Sequence, residues 1–144
     1  MSYSQLLRAR RIRKEPAARR QVSAQVAAAR RDLATARILM EREDEWAYNI
    51  AYNAMHLAGR AVMFAEGYRP TAEGGHAAVV DFLRIRLGPS FLDTVELLDR
   101  MRRQRHRITY ESVGVVTPTQ IREAVGTAEE FIAKVEALLE TAGE

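Results

Sequence analysis

The chain has 144 residues, 47% hydrophobic and 28% charged, so it is long enough to form one domain with a substantial core. It contains no cysteine, which excludes disulfides, thiol nucleophiles and thiolate metal sites. No apolar run approaches the roughly 18 residues that a membrane span needs, and the charged N-terminus lacks the apolar core of a signal peptide. We therefore expect a cytoplasmic protein that does not enter a membrane.

The net charge of +3 is distributed unevenly along the chain. Residues 1–42 carry eleven Lys/Arg and three Asp/Glu, whereas residues 43–144 carry eleven and sixteen. A basic first third can attract phosphate-rich partners such as nucleic acid. It can equally pair with the acidic remainder or with a second copy of the chain, and charge alone leaves these alternatives open.

Residues 1–16 are too basic and too poor in apolar residues to fold alone. We predict a short helix or a docking arm there, ahead of a single domain over residues 17–144. Pro16 suits the first turn of the long helix that follows. Apolar residues from Val22 to Met40 recur at intervals of three or four, which predicts an amphipathic helix up to about Arg42.

Residues 46–66 are apolar on nearly all sides, which is typical of a helix in the middle of a bundle or at a subunit interface. Gly67 suits the left-handed residue that ends such a helix. Further helices are predicted over 76–87, from about 90 to 110, and after a capping box that starts at Thr117. The pattern predicts an all-α fold, an antiparallel up-and-down bundle of four to five helices.

The stretch Leu97–Tyr110 carries five arginines around His106. Metal-free RNA cleavage needs a group that moves a proton and a cation that neutralises charge on the phosphorane. Histidine titrates in the right range, and the guanidinium fork suits phosphate oxygens. The alternative is a solvated helix end with an idle histidine. The candidates are catalytic Arg105, His106 and Tyr110, and nucleic-acid-binding Arg100, Arg102, Arg103 and Arg107.

Other sites lack support in the sequence. His56, His76 and His106 fall on three predicted helices without paired metal-ligand spacing, and no glycine loop for phosphates or serine-nucleophile motif is present. We therefore expect no metal and no cofactor. His56 and Asn53 are predicted to satisfy buried backbone groups or each other.

Two segments resemble a known family. AYNAMHLAGRAVMFAEGYRP (51–70) is similar to the second helix and following turn of HEPN domains, and RMRRQRHRITYE (100–111) is similar to their signature region. The resemblance implies a four- or five-helix bundle that typically dimerises, bringing two signature motifs to one cleft. Several members are metal-independent RNases of toxin or defence type, often neutralised by a nucleotidyltransferase-fold antitoxin.

The family signature is an arginine, often followed by a polar residue, with a histidine four to six residues later. In one register Arg105 is that arginine, His106 takes the polar place, and Tyr110 stands where histidine is usual. In the other, Arg100 pairs with His106. We prefer the first, although tyrosine is a poor base at neutral pH.

The resemblance implies an RNA-binding homodimer with metal-independent endoribonuclease activity. The alternative is a non-catalytic bundle that binds a nucleotide or another protein. A DNA-binding regulator is a weaker third hypothesis, because the predicted helices are long and the turn after Glu66 is not a tight three-residue bend.

Overall fold

The computed structural model describes residues 1–110 and 116–142, except the side chains of residues 106, 109, 110, 141 and 142. This part of the chain forms six α-helices and one two-stranded antiparallel sheet, so the predicted all-α fold is confirmed. A 3₁₀ turn over Pro89–Phe91 joins the fourth helix to the fifth. The elements are α1 (Tyr3–Arg8), β1 (Ile12–Lys14), α2 (Arg19–Glu41), α3 (Trp46–Ala65), β2 (Tyr68–Pro70), α4 (Gly75–Leu87), α5 (Leu92–Tyr110) and α6 (Pro118–Ala142).

The helix α3 is enclosed by the rest of the chain. Thirteen of its residues are buried, and it packs most extensively against α2 and α6, with further contacts to α4, α5 and β2. The prediction of a central helix is therefore confirmed. Because one chain already covers α3 on nearly all sides, its all-round apolar character does not require a subunit interface.

The helices α2 and α6 also meet through charge. Arg30 forms an ion pair with Glu136, and Arg37 forms one with Glu129. Both arginines belong to the basic first third of the sequence, and both glutamates lie on the acidic last helix. Some of the positive charge of the first third is thus neutralised within the chain, which was one of the two alternatives to nucleic-acid binding.

The starts of α2 and α6 differ in how well the sequence predicted them. The capping box at α6 is confirmed, since Gln120 N–H donates to Thr117 Oγ1 at 3.1 Å and Thr117 N–H donates to Gln120 Oε1 at 2.9 Å. The prediction for Pro16 is wrong, because α2 begins only at Arg19. Glu15 N–H donates to the carbonyl of Gly67 at 2.8 Å, which keeps the chain extended beyond β1.

The N-terminal segment docks on the same core as the long helices. Leu6 and Ile12 are buried in that core, and Ile12 lies opposite Pro70 in the β1–β2 pair. The backbone approaches Gly74 so closely that a Cβ there would lie 2.1 Å from the carbonyl oxygen of Arg11. The sheet was not predicted, because three-residue strands are too short to show an alternating pattern.

The described helices include none with the length and apolarity needed to cross a bilayer. Among the described glycines, Gly59 and Gly126 both lie inside helices, but their surroundings differ. A Cβ at Gly59 would meet Leu83 Cδ1 at 2.8 Å and Val79 Cγ1 at 3.0 Å, whereas a Cβ at Gly126 would meet nothing within 4 Å. The absence of a side chain at Gly59 therefore sets how closely α4 approaches α3.

We expect Gly59→Ala to lower the free energy of unfolding by about 1–3 kcal/mol, because the added methyl overpacks the α3–α4 contact. Gly126→Ala is the matched control, and it should raise stability by about 0.5–1 kcal/mol through helix propensity alone. Urea unfolding of both variants measures the difference. Equal stabilisation by the two substitutions would contradict the close α3–α4 approach.

Candidate functional site

A cluster of three stacked rings joins α3 to the start of α4. Tyr52 and His56 lie one turn apart on α3, and His76 is the second residue of α4. The imidazole rings of His56 and His76 stack with centroids 3.9 Å apart and planes 5° apart. The Tyr52 hydroxyl oxygen lies 2.6 Å from Nδ1 of His76. The hydrogen bond and the stacking together define the position of the His76 ring.

The protonation states of these rings follow from their surroundings. Burial raises the pKa of Tyr52 to about 12, so its hydroxyl keeps its proton at neutral pH. Burial, followed by the charge of Arg105, lowers the pKa of His76 to about 4. The protonated Tyr52 hydroxyl and Nδ1 of the neutral His76 therefore share a hydrogen bond, and the tautomer of the imidazole sets which of the two groups donates.

His56 is the most deeply buried member of the cluster. Its side chain lies in the core with a residue exposure of 7%, and burial, followed by the neighbouring His76, lowers its pKa to about 3. Two stacked imidazoles cannot both carry charge at low cost in this environment. At neutral pH the pair is therefore uncharged, and the positive charges of Arg60 and Arg105 add to the effect of burial in lowering both pKa values.

Two guanidinium groups lie over aromatic rings of α3. Cζ of Arg105, on α5, lies 5.2 Å from the ring centroid of Tyr52, and Cζ of Arg60, on α3, lies 5.2 Å from that of Phe64. No carboxylate in the described part of the chain lies within ion-pair distance of either group. Nε of Arg60 is buried and has no hydrogen-bond partner among the described residues. Burial and then Arg69 lower the pKa of Arg60.

Other arginines nearby are held by the buried carboxylate of Asp99, on α5. Arg102 Nε donates to Asp99 Oδ1 at 3.0 Å, and Arg103 Nη1 donates to Oδ2 at 2.7 Å. Nη2 of Arg84, from α4, lies 3.5 Å from Oδ2. Burial disfavours ionisation of Asp99, but the hydrogen bond from Arg102 and the surrounding charges outweigh it and lower the pKa of the carboxyl group. This cluster fastens α5 to α4.

The structure separates the residues that the sequence grouped on α5. Arg105 joins the ring cluster, whereas Arg102 and Arg103 bind Asp99. Arg100 and Arg107 are exposed, and Nη1 of Arg107 lies 3.5 Å from Oε1 of Gln104. The other two predicted catalytic residues are His106 and Tyr110, and their side chains are outside the part of the chain that the structure describes.

Comparison with protein-family models identifies the fold. The model of the HEPN domain matches residues 22–138, which is most of the chain. The chain belongs to the HEPN domain family. Among curated proteins, no sequence matches it significantly.

This HEPN chain contains site residues that sequence reasoning missed. Tyr52 and His76 were not singled out, and His56 was predicted to serve Asn53 or the backbone. Asn53 instead donates from Nδ2 to Asp32 Oδ2 on α2 at 2.6 Å. The spacing of Tyr52 and His56 by four residues was a visible signal, since such residues share a helix face. His76 carried none, because only the fold brings it to the other two.

No group of three or more His, Asp or Glu side chains within the described residues could hold a metal ion. The pair His56 and His76 does not have the geometry of a metal site either. Their rings stack face to face, so their ring nitrogens do not point at a common centre. The chemistry available to this HEPN site is therefore that of guanidinium groups, an imidazole N–H and a phenolic hydroxyl.

The lowered histidine pKa values predict that this protein loses stability in mild acid. A group with a lowered folded pKa binds fewer protons when folded than when unfolded, so stability is complete above the unfolded pKa of about 6.5 and falls as the pH drops towards the folded value. For His56 alone, the expected loss between pH 7 and pH 5 is about 2 kcal/mol.

The test replaces His56 with Phe, which keeps a ring in the stack but cannot be protonated. Urea unfolding at pH 7, 6 and 5 should show a smaller pH-dependent loss for His56→Phe than for wild type, by about 1–2 kcal/mol. The comparison concerns the pH dependence and not absolute stability. Parallel pH profiles for the two proteins would show that His56 is not held neutral in the folded state.

Proposed function

We propose that this HEPN protein binds RNA along α5 and cleaves it as a metal-independent endoribonuclease. The observation that supports this most directly concerns Arg105, a candidate catalytic residue whose side chain is described. Its guanidinium group lies beside neutral imidazoles and has no carboxylate partner within the described residues. An unpaired guanidinium is available to neutralise the charge that develops on a phosphorane.

In the proposed reaction the RNA 2′-oxygen attacks phosphorus and loses its proton to a general base, while the 5′-oxygen leaves and gains a proton. The products carry a 2′,3′-cyclic phosphate and a free 5′-hydroxyl. His106 moves the proton and Arg105 stabilises the transition state. In the competing assignment Tyr110 takes the role of His106.

The arginines of α5 divide into two groups for RNA binding. Arg100, Arg103 and Arg107 are exposed, and the two that do not bind Asp99, Arg100 and Arg107, are the proposed phosphate contacts. Arg102 and Arg103 donate hydrogen bonds to Asp99, so we expect each to contribute less to RNA affinity than Arg100 or Arg107 does. The sequence alone gave no reason to distinguish these four arginines as RNA-binding candidates, whereas the ion pairs of Asp99 do.

We propose a homodimer in which two α5 helices share one cleft, in a toxin or defence setting with a nucleotidyltransferase-fold antitoxin as partner. These proposals follow from family membership, since burial of α3 within one chain removes the sequence argument for an interface. Sedimentation equilibrium at micromolar concentration tests the dimer, and a monomer there would remove the shared cleft.

The second candidate is a non-catalytic HEPN bundle that binds a nucleotide or another protein. Two observations favour it: Asp99 occupies two of the five α5 arginines, and both described imidazoles are neutral at physiological pH. A neutral imidazole of such low pKa is a poor general acid at neutral pH. The proton transfer of the proposed reaction is therefore assigned to His106 or Tyr110.

We expect purified protein to cleave RNA in EDTA and to leave 2′,3′-cyclic phosphate ends. His106→Ala and Arg105→Ala should each lower the cleavage rate by about 10²–10⁴-fold, since each removes a group that acts in the transition state. Arg31→Gln is the control, because Arg31 is exposed on α2 and away from α5. Denaturing gels of end-labelled RNA measure the rates.

Tyr110→Phe separates the two assignments, because it keeps the ring and removes only the hydroxyl. Full activity in His106→Ala with none in Tyr110→Phe would transfer the proton-moving role to Tyr110. No cleavage of any RNA by wild-type protein, with and without divalent ions, would favour the non-catalytic function.

RNA affinity should fall as salt rises, because each phosphate neutralised releases counterions. Arg100→Gln and Arg107→Gln should each reduce the slope of log affinity against log salt by about 0.7, the value for one single-strand phosphate contact. Arg103→Gln should reduce it less, because Arg103 is paired with Asp99. Fluorescence anisotropy at several salt concentrations gives these slopes, and equal effects of the three substitutions would refute the division.

A further inference from the structure

We propose that copies of this chain associate head to tail, with an acidic turn of one copy bound in a basic groove of the next. The basic groove lies beside β1 and is lined by residues 7, 10, 12–14 and 71–73. The acidic turn comprises residues 41–46, from the end of α2 to the start of α3. Neither surface uses a residue of α5, so this contact is separate from the proposed RNA site and from the proposed homodimer.

The basic groove combines apolar surface with positive charge that the chain leaves unpaired. Of its eight lining residues three are apolar, three are Lys or Arg and one is a glutamate, around a volume of about 490 Å³. Arg13 is paired with Glu15. No carboxylate in the described part of the chain lies within ion-pair distance of Arg10 or Lys14. These two cations are therefore available to a partner.

The acidic turn is opposite in charge and also exposes an apolar ring. Residues 41–45 hold four carboxylates and one arginine. The Asp44 carboxylate accepts a hydrogen bond from Trp46 N–H at 2.9 Å. No cation among the described residues lies within ion-pair distance of Glu41 or Glu43. Trp46 is 49% exposed, so the turn presents unpaired carboxylates and an indole together.

Arg10 and Glu43 share a backbone conformation that favours glycine. They are the non-glycine residues with positive φ in the part of the chain that the structure describes, at 58° and 52°. Each directly follows the C-cap of a helix, a position that glycine usually takes because a Cβ is crowded there. Strained backbone of this kind is concentrated at functional sites. One of the two residues is a cation of the groove and the other is a carboxylate of the turn, which supports a role for both side chains in one contact.

The fold places the two surfaces at opposite ends of α2. The groove lies next to the start of this helix, since β1 ends at Lys14 and α2 begins at Arg19, whereas the acidic turn begins where α2 ends. A helix of 23 residues is about 35 Å long. One chain cannot place its own turn in its own groove, so the partner is a second copy. A contact between two different surfaces continues from copy to copy and forms an open chain or a ring.

Apolar surface distinguishes this contact from binding of nucleic acid in the same groove. A phosphodiester backbone would engage the cations but would leave the apolar part of the groove exposed to water. Trp46 instead supplies a ring whose removal from water is favourable. The neighbouring Glu41 and Glu43 supply the negative charge that complements the groove.

Sedimentation velocity at increasing protein concentration tests the contact. At about 50 mM salt the sedimentation coefficient of wild type should rise with concentration, and about 0.5 M salt should largely suppress the rise, because exposed charges are screened. Arg10→Asn and Glu43→Asn should each weaken the association by at least about tenfold, since each removes one charge of a complementary contact. Asparagine tolerates the left-handed conformation, so both variants should fold, and thermal unfolding verifies this.

Two further variants separate the contact from a general effect of charge. Arg31→Gln removes one exposed positive charge about 18 Å along α2 from Arg19, and it should associate as wild type. Trp46→Ala removes apolar surface without changing the charge. It should weaken the association and leave its salt dependence as in wild type.

An equimolar mixture of Arg10→Asn and Glu43→Asn distinguishes head-to-tail from symmetric association. One variant keeps an intact turn and the other an intact groove, so the mixture should restore a contact that neither variant makes with itself. An α5 homodimer is retained by both variants and contributes equally to all samples. No gain on mixing, or wild-type association in both variants, would overturn the proposal. RNA affinity that falls in Arg10→Asn while its association stays as in wild type would also overturn it, because the groove would then serve nucleic acid.

Discussion

Burial of α3 on nearly all sides is the constraint on which the rest of this structure depends. Small residues along α3 let neighbouring helices approach, and at Gly59 the helix α4 leaves no room for a Cβ. A helix enclosed in this way carries its polar side chains into the core with it. Tyr52 and His56 are such side chains, and their polar groups must find partners inside the protein.

His76 provides that partner at the start of α4, and the loop before it is fixed by the N-terminal segment. Thr71 donates its hydroxyl to the carbonyl of Arg10 at 2.6 Å, and its N–H donates to that of Arg11 at 3.0 Å. The segment over residues 1–16 thus belongs to the support of the ring cluster. The segment that carries these basic side chains is itself anchored, because Leu6 and Ile12 are buried in the core.

The distribution of carboxylates decides what each arginine can do. Glutamates of α6 neutralise Arg30 and Arg37 on α2, and Asp99 holds Arg102 and Arg103 on α5. The pairs of Arg30 and Arg37 join α2 to α6, whereas the two Asp99 pairs lie within α5. Ion pairs that are solvent-exposed contribute little stability each. Arg105 lies over the Tyr52 ring instead, with its guanidinium unpaired in the described part of the chain. Arginines that are neighbours in sequence therefore have different chemical roles.

Local patterns were sufficient to predict most of the helices. The apolar stripe of α2, the apolar character of α3 and the capping box of α6 each lie within one segment, so periodicity and capping rules could detect them. The two three-residue strands were missed because each is shorter than the alternation that would reveal it. The start of α2 was placed too early because the bond from Glu15 to Gly67 depends on a distant segment.

The sequence by itself determined that this protein is a helical bundle, that its central helix is enclosed, and that α5 carries five arginines between residues 100 and 107. Only the tertiary structure decided which of those charges are neutralised and which histidines meet. Asp99 selects Arg102 and Arg103 by helical spacing, but His76 reaches Tyr52 and His56 only because α4 packs on α3. Electrostatic pairing and ring stacking act over a few ångströms in space, and separation along the chain does not report those distances.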